Sequence, residues 1–398
     1  MENFVKKGNF MKKICNFIIL MLIFAFFVGG FNFKPVVFSR AELDLKAQTK
    51  AALLYDAKSG TVIYSFNEDK RLPIASMTKL ASLMLVFEAI NEGKISEDTL
   101  VKISKNAAET EGSSAFLDEK SEYNVGDLIM TVIVCSANDS TVALAEAVYG
   151  SEDNFVKKMN EKAKFLGLKN TNFINATGLP AVDHYSSACD IAKIYSEICD
   201  NEIYKKYSKI WMTELIHPSG RKTDIVNTNR LIKTYEGCDS GKTGFTNDAG
   251  FCLAASATRG DMKLIGVVIG AQDSKTRFNE MANMFNYGFK NYENKVIIES
   301  DLPFLETDVS NSIIDFVKLY PEKDCVKFLK KGEEFKYSID YKVNKLKAPI
   351  KANDKVGTLY VLDKNNMVVF EESLIVKEDV KEIKIKDILQ KIYHNLSR

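Results

Sequence analysis

Residues 73–90 read PIASMTKLASLMLVFEAI and are almost wholly apolar after the opening proline. No helix breaker follows Pro73, and proline is favoured in the first turn of a helix, so the pattern predicts a buried helix that starts there. Two polar side chains interrupt the apolar run, the hydroxyl of Ser76 and the amine of Lys79. A buried lysine must be paired or deprotonated, because an isolated charge in apolar surroundings is too costly. The sequence therefore predicts that this pair has a chemical task.

Serine and lysine three residues apart can act together. On a helix their side chains project from one face and can form a hydrogen bond. A serine hydroxyl becomes a nucleophile only when a base takes its proton, and lysine is a base only when burial or a nearby cation lowers its pKa. The apolar residues around Lys79 in the sequence are expected to bury its amine. Because Ser-x-x-Lys also arises by chance in chains of this length, the pair needs support from elsewhere in the sequence.

A second polar cluster is CSANDS, residues 135–140. It places Ser136 and Asn138 after the apolar run 129–134 and before a predicted helix. Hydroxyl and amide groups in that position suit the wall of a cleft. The alternative is an ordinary helix start with Asn138 or Asp139 as the capping residue.

The third cluster is DSGKTGF, residues 239–245, which contains Lys242, Thr243 and Gly244. It comes just before a predicted pair of strands at 251–257 and 262–271. Gly244 has no side chain, so another backbone can lie beside this segment and pair with it. The alternative is a plain turn that leads into a strand.

The order of predicted elements indicates an α+β fold. Strands at 51–55 and 61–66, together with those at 251–271, predict one antiparallel sheet built from both ends of the domain, with the mostly helical region 85–230 inserted. After about residue 294 the pattern alternates every second residue in EFKYSIDYKV, and TLYVLDKNNMVVF reads as a hairpin, so a small all-β domain follows. We predict a division into residues 1–41, 42–294, 295–379 and 380–398.

The two ends of the chain carry predicted targeting features. Lys12 and Lys13 precede an apolar run at 14–28, and small residues flank Arg40, so residues 1–41 read as an export signal. The alternative is an uncleaved membrane helix, since the run to residue 33 approaches spanning length. Residues 380–398 predict an amphipathic helix that lies in a membrane surface, or else packs on the β domain; its apolar face holds Ile385, Ile388, Leu389, Ile392 and Leu396.

Composition narrows the possible functions. A chain of 398 residues with 46% hydrophobic and 27% charged residues is typical of a globular protein of two domains. The net charge is +1, but residues 1–41 hold six basic residues against one acidic, so the remainder carries −4. No basic patch stands out, which argues against a nucleic-acid partner. The seven cysteines form no Cys-x-x-Cys pair and no histidine has metal-ligand spacing, so we expect no metal and no cofactor.

Ser-x-x-Lys, Ser-x-Asn and Lys-Thr-Gly in this order are the motif set of serine enzymes that interact with β-lactams. From about Ala51 to the β domain the chain resembles the low-molecular-mass penicillin-binding proteins, specifically the D-alanyl-D-alanine carboxypeptidases of the penicillin-binding serine peptidase family. The resemblance implies a β-lactamase/transpeptidase-like domain. It also rests on further landmarks, which are LLYDAKSGTVIYS, EGSSAFL, NTNFINATGLP, HYSSACDIAKI and DSGKTGFTNDAGFCLAASATR.

The resemblance also implies roles for the three clusters. Ser76 would attack the D-Ala-D-Ala carbonyl and become an acyl ester, and Lys79 would take its proton. Ser136 would relay a proton to the leaving D-Ala amine, while Asn138 would bind the substrate amide and steady Lys79. The partners implied are a peptidoglycan stem peptide ending in D-Ala-D-Ala and β-lactams as acylating inhibitors. The place of work implied is the outer face of the cytoplasmic membrane and the cell wall.

The remaining implied roles concern substrate binding. Lys242 would supply a second cation and hold the substrate carboxylate, with Thr243 as a hydrogen-bond donor. The backbone N–H groups of Ser76 and Phe245 would form the oxyanion hole beside Gly244. Arg277 either contacts the terminal carboxylate or is a structural surface arginine.

Two other functions stay open at this point. A class A β-lactamase shares the three clusters, but it hydrolyses its acyl ester with a glutamate-activated water, and residues 162–196 contain no Glu. An inactive wall-binding protein would be expected to have lost Ser76, Lys79 or Lys242. We expect His184 to be structural, because a Ser-Lys mechanism leaves it no task. Cys135 adjoins Ser136, so a bulky thiol reagent is expected to slow the enzyme.

Overall fold

A computed structural model describes residues 48–386. The predicted export signal at 1–41 and residues 387–398 of the predicted terminal helix lie outside the described residues. No helix within 48–386 has both the length and the apolar character needed to cross a membrane.

The first domain is an α+β structure, as predicted. Its strands are β1 (Ala51–Asp56), β2 (Val62–Phe66), β3 (Leu100–Lys102), β4 (Glu122–Asn124), β5 (Met212–Ile216), β6 (Lys222–Val226), β7 (Cys238–Thr246), β8 (Gly250–Arg259) and β9 (Met262–Ala271). Its helices are α1 (Lys79–Asn91), α2 (Lys105–Ala108), α3 (Val125–Val134), α4 (Asn138–Tyr149), α5 (Glu152–Phe165), α6 (Ala188–Ile198), α7 (Glu202–Ser208), α8 (Leu231–Thr234) and α9 (Ser274–Asn291).

One five-stranded sheet joins both ends of this domain, in the order β2-β1-β9-β8-β7. Every neighbouring pair is antiparallel, so the predicted antiparallel sheet is confirmed. β7, which carries the Lys-Thr-Gly cluster, is an edge strand of this sheet. The inserted region is mostly helical as predicted, but it also contains two short hairpins, β3/β4 and β5/β6.

The sheet separates two apolar cores. On one face the inserted helices pack around α1, whose residues from Lys79 to Phe87 are all buried. On the other face α9 covers the sheet with Phe278, Met281 and Phe285. Because the sheet holds β7 at the edge and α1 lies against one face, the polar clusters of the three segments meet between them.

Several helix ends are fixed by local sequence. The hydroxyls of Ser151 and Ser187 accept hydrogen bonds from the N–H groups of Asn154 and Asp190, which satisfies the first turns of α5 and α6. α4 ends at Gly150, whose φ of +79° is the left-handed conformation that glycine adopts without strain.

The second domain is all-β, as predicted. Its strands are β10 (Tyr292–Ile298), β11 (Leu305–Ser310), β12 (Phe316–Pro321), β13 (Cys325–Lys330), β14 (Tyr337–Val343), β15 (Leu346–Lys347), β16 (Lys355–Asp363) and β17 (Val368–Val376). Six of them form a sheet in the order β14-β16-β17-β12-β11-β15, and β10 pairs with β13. The predicted boundary between residues 294 and 295 falls inside β10.

The alternating residues Tyr337, Ile339 and Tyr341 lie on β14 and are exposed, and β14 is an edge strand of its sheet. One detail of this domain differs from expectation. Residues 380 and 382, placed in the terminal helix by the sequence, instead form bridges with Ile350 and Ser312 of the β domain.

Candidate active site

Ser76 lies on a 3₁₀ turn, Ala75–Thr78, that directly precedes α1. The predicted helix start at Pro73 is therefore wrong, since the α-helix begins at Lys79. Ala75 has a φ of +47°, which an α-helix does not allow. In a 3₁₀ turn side chains three residues apart eclipse each other, so the pair still meets, and Lys79 Nζ lies 3.0 Å from Ser76 Oγ.

The amine of Lys79 is fully buried and has three polar neighbours. Besides Ser76 it lies 2.5 Å from Asn138 Oδ1 and 2.7 Å from the carbonyl oxygen of Thr177. Burial holds the pKa of Lys79 well below its ordinary value, and the positive charge of Lys242 lowers it further. Burial and this charge therefore both favour the neutral form of the base.

The neighbours of Lys79 also fix the direction of its lone pair. A neutral amine has two N–H groups and one lone pair. The oxygens of Asn138 and Thr177 carry no proton and can only accept, so they take both N–H groups. The lone pair is left for Ser76, whose O–H then donates to Nζ. This is the arrangement that a base needs in order to remove the serine proton.

Asn138 is the first residue of α4, and Ser136 lies in the short link between α3 and α4. The amide nitrogen of Asn138 donates to the carbonyl oxygen of Glu111 at 2.6 Å, which turns its oxygen toward Lys79. Gly112, beside Glu111, must be glycine, since a Cβ there would lie 2.7 Å from that nitrogen.

Lys242 projects from β7 and is also fully buried. Its amine donates to Ser136 Oγ at 2.7 Å and to the carbonyl oxygen of Thr243 at 2.9 Å. Burial lowers the pKa of Lys242 to about 7, and Arg277 contributes to the lowering. Near neutral pH a substantial fraction of Lys242 is therefore protonated, and that charge helps to keep Lys79 neutral.

Two glycines hold the 3₁₀ turn close to its neighbours. A Cβ on Gly244 would lie 2.7 Å from the carbonyl oxygen of Ile74 and 3.1 Å from the nitrogen of Ser76. A Cβ on Gly178 would lie only 2.0 Å from the carbonyl oxygen of Ala75. The backbone that lies close beside Gly244 in this structure is that of the turn which carries Ser76.

Of the other predicted binding residues, Thr243 and Phe245 lie on β7 and Arg277 lies beside it. Thr243 is buried, whereas Phe245 is 51% exposed and packs on Phe251 with ring centroids 4.3 Å apart. Arg277 on α9 is 7% exposed and donates to the carbonyl oxygens of Gly244 and Cys252, each at 3.3 Å. Burial lowers the pKa of Arg277 to about 10. These bonds brace β7 against β8, and a contact of Arg277 with a substrate carboxylate stays a prediction.

His184 makes the contacts of a structural residue. Its Nδ1 accepts a hydrogen bond from the N–H of Ile174 at 3.2 Å, so Nε2 carries the proton and donates to Thr78 Oγ1 at 2.8 Å. Burial lowers the pKa of His184 to about 4, so the ring is neutral. Both ring nitrogens are occupied away from the Ser76 hydroxyl.

The backbone groups that complete the site could not be found from the sequence. The carbonyl oxygens of Thr177 and Glu111 have no side-chain signature. Asp139 was weighed only as a helix cap, but its carboxylate accepts from the N–H groups of Ala115 and Leu117, each at 3.1 Å, and from the Ser114 hydroxyl. It thereby holds the segment that follows Glu111. Within residues 48–386 no group of three or more His, Cys, Asp or Glu side chains is placed to hold a metal ion.

The fold and this site define an active-serine enzyme with a transpeptidase-like domain and a following β domain. The family described as D-alanyl-D-alanine carboxypeptidase matches residues 37–273, and the family described as penicillin-binding protein 5, C-terminal domain, matches residues 292–382. The chain therefore belongs to the D-alanyl-D-alanine carboxypeptidase family of serine hydrolases, and the family inferred from the sequence is confirmed.

Individual relatives agree over most of the chain. It is 38% identical to D-alanyl-D-alanine carboxypeptidase DacF of Bacillus subtilis (strain 168), over 88% of this chain and 92% of that protein. It is 31% identical to D-alanyl-D-alanine carboxypeptidase DacA of Escherichia coli (strain K12), covering 92% and 91% of the two chains. Among solved structures, penicillin binding protein 5 from Haemophilus influenzae aligns with a TM-score of 0.67 at 32% identity, over 84% of this chain and 98% of that one.

Proposed function

We propose that this enzyme removes the terminal D-alanine from peptidoglycan stem peptides that end in D-Ala-D-Ala, through an acyl ester on Ser76. The observation that carries the proposal is the state of Lys79. Its amine is buried and lies within hydrogen-bond distance of the oxygens of Asn138 and Thr177 and, at 3.0 Å, of the Ser76 hydroxyl. In the neutral amine the first two oxygens take the N–H groups, and the lone pair is left for Ser76. A proton acceptor held in this way beside a serine activates it for acyl transfer.

The reaction proceeds in two halves. Ser76 Oγ bonds to the carbonyl carbon of the penultimate D-Ala, and its proton passes to Lys79 Nζ. The C–N bond then breaks, and the proton that Lys79 took from Ser76 passes by way of Ser136 to the leaving amine of the last D-Ala, which returns Lys79 to its neutral form; Ser136 lies 2.7 Å from Lys242. Water next attacks the ester carbonyl, its proton is taken up by the same base, and Ser76 Oγ leaves as a hydroxyl. The products are D-alanine and the shortened stem.

The groups around β7 bind the substrate and the developing charge. The Ser76 N–H lies against Gly244, so the Phe245 N–H, one residue further along β7, can share an oxyanion with it. One such donor typically contributes about 3 kcal/mol to the transition state. Lys242 and Thr243 hold the terminal carboxylate, with Arg277 as a further contact for it.

β-Lactams acylate Ser76 by the same first step, and their slow release separates this proposal from a β-lactamase. Residues 162–196 carry no Glu, and Glu152, which contacts this segment, accepts from the Ala176 N–H at 2.9 Å. We expect nitrocefin to acylate the protein with a single burst and to turn over slowly afterwards. Rapid, sustained turnover would favour the β-lactamase instead.

The central test is release of D-alanine from a muropeptide pentapeptide. We expect release by the wild type and none by Ser76→Ala. Ser196→Ala, which changes an exposed serine on α6, is the matched control and should keep full activity. Equal release by wild type and Ser76→Ala would overturn the role of Ser76. A fluorescent penicillin that labels the wild type but not Ser76→Ala would also exclude an inactive wall-binding protein.

We also propose that the chain has the four predicted segments and that the enzyme works outside the cell. Residues 1–41 act as the export signal, and the terminal segment attaches the protein to the outer face of the cytoplasmic membrane. Because residues 380 and 382 pair with the β domain, the membrane test should remove only residues 387–398. We expect the chain from residue 42 to float with anionic lipid vesicles and the shortened chain to remain unbound. Equal flotation of both would contradict the attachment.

A further inference from the structure

The landmark NTNFINATGLP, residues 170–180, lies in the connection between α5 and α6. Two of its residues support the catalytic pair. The carbonyl oxygen of Thr177 accepts from the Lys79 amine at 2.7 Å, and Gly178 lies against the carbonyl group of Ala75. A connection of this kind has no continuous ladder of backbone hydrogen bonds, so side chains must fix the direction of the Thr177 oxygen.

Asn175 folds this connection around its own side chain. Its Oδ1 accepts three hydrogen bonds, from the N–H of Gly178 at 2.7 Å and from the N–H and the hydroxyl of Thr177, each at 3.2 Å. Its Nδ2 donates to the carbonyl oxygen of Leu179 at 2.9 Å. Both ends of one side-chain amide thus bind the three residues that surround the acceptor of the base, which is how asparagine stabilises a tight turn.

The bond from the Gly178 N–H determines where the carbonyl group of Thr177 points. That carbonyl and that N–H belong to one planar trans peptide unit, in which they point in opposite directions. Asn175 Oδ1 holds the N–H on one side of the unit. The carbonyl oxygen is therefore directed to the other side, where the Lys79 amine lies.

Other side chains fix the course of the connection up to this peptide unit. The N–H of Ala176 donates to Glu152 at 2.9 Å, and its carbonyl oxygen accepts from Ser82 of α1 at 2.7 Å. The backbone N–H and carbonyl oxygen of Phe173 both bind the side-chain amide of Asn160, at 2.9 and 2.8 Å. These bonds end one residue before the carbonyl group that contacts the base, so they leave its direction open.

We propose that Asn175 is a positioning residue for the catalytic base. It holds the peptide unit between Thr177 and Gly178 in the orientation that occupies one N–H group of the amine. The inference rests on the proposed role of Lys79 and adds a residue that acts on it through a backbone oxygen. Without Asn175 the peptide unit can turn and the amine loses one of its two acceptors. An N–H group then competes with the lone pair for the Ser76 hydroxyl.

The test measures the second-order rate of acylation by a fluorescent penicillin together with the final extent of labelling. The extent counts the folded enzyme, so a smaller folded fraction changes the extent and not the rate per labelled site. We expect Asn175→Ala to lower that rate about 10- to 100-fold, the range for a small misplacement of a catalytic group. Asn175→Ser keeps a side-chain oxygen that accepts from backbone N–H groups more weakly in the same kind of turn, so it should recover part of the loss.

Asn160→Ala is the matched control, because it also removes an amide that binds backbone N–H and carbonyl groups of this connection. Its melting temperature should fall, while its acylation rate should stay close to that of the wild type. Three results would overturn the proposal: wild-type acylation by Asn175→Ala, an Asn175→Ser variant as slow as Asn175→Ala, or an equal loss of rate in Asn160→Ala. Equal labelling of Ser76→Ala and the wild type would instead contradict the proposed function.

Discussion

The position of Ser76 depends on a glycine that makes no chemical contribution of its own. Gly178 follows Thr177, the residue whose carbonyl oxygen accepts from Lys79. It has a φ of +86°, and a Cβ added to it would lie 2.0 Å from the carbonyl oxygen of Ala75 and 2.8 Å from Thr78 Oγ1. The substitution Gly178→Ala therefore pushes directly on the turn that carries the nucleophile.

The size of the effect follows from these distances. Real Cβ contacts are not shorter than about 3.0 Å, so the turn and the segment at Thr177 must separate by about 1 Å. A misplacement of that size typically costs about 100-fold in rate. The left-handed backbone adds about 1–3 kcal/mol of strain, which lowers the free energy of unfolding but not the rate of the folded enzyme.

Gly150→Ala separates these two effects. Gly150 has a φ of +79° at the end of α4, with no atom within 4 Å of an added Cβ, so its substitution causes strain without a clash. We expect both variants to melt at lower temperature by circular dichroism. Only Gly178→Ala should show a second-order rate of acylation by fluorescent penicillin that is about 100-fold lower. A folded Gly178→Ala that acylates within threefold of the wild type would refute the reasoning.

Two further substitutions and one labelling reaction test the electrostatics of the site. Asn138→Asp sets a carboxylate 2.5 Å from Lys79 and raises its pKa, so acylation by fluorescent penicillin should fall about 100-fold at pH 7 and recover toward pH 10; an unchanged rate at pH 7 would contradict the neutral base. The pKa of Lys242 is about 7 in the folded protein, against 10.5 for an ordinary lysine. Between pH 7 and 10 this lysine therefore binds more protons in the unfolded chain than in the folded one, and its contribution to the free energy of unfolding rises with pH. Between pH 7 and 10 the free energy of unfolding of Lys242→Met, measured by urea titration, should rise by about 4 kcal/mol less than that of the wild type. The same pH dependence in both proteins would exclude the lowered pKa of Lys242. Burial raises the pKa of Cys135 from 9.0 to about 11, so maleimide should label it at pH 7 about 100-fold more slowly than an unperturbed thiol. Full acylation by penicillin after verified labelling would remove Cys135 from the neighbourhood of the cleft.

Much of the fold could be predicted from the sequence because the spacing of apolar residues indicates the strands and helices. Strands of alternating or continuous apolar residues bounded by glycine gave β1, β2, β8 and β9 within a few residues, and the order of strands and helices gave the α+β architecture. The edge position of β14 could not be predicted, since alternation reports a strand and does not report which neighbours cover it.

The chemistry of the site was predictable to the extent that side chains supply it. Ser76, Lys79, Ser136, Asn138 and Lys242 lie together because their three clusters fall at the 3₁₀ turn and start of α1, at the α3–α4 link and start of α4, and on β7. Backbone acceptors were not predictable. Every residue type has a backbone carbonyl oxygen, so the identity of Thr177 does not indicate that its oxygen contacts Lys79. Only the glycine that follows, Gly178, indicates that another segment passes close by.

No carboxylate lies among the hydrogen-bonding neighbours of the Lys79 amine within residues 48–386, and there is a chemical reason for this. The polar neighbours of this amine are an amide oxygen, a carbonyl oxygen and a hydroxyl, all of them neutral. A carboxylate at the same distance would hold the amine protonated and leave Ser76 without a base. The chain does place a buried carboxylate one residue away, at Asp139, but three backbone N–H groups and the Ser114 hydroxyl occupy its oxygens. The order Asn-Asp at 138 and 139 is therefore required. The amide of Asn138 must face the amine of Lys79, while the carboxylate of Asp139 holds the segment that orients this amide.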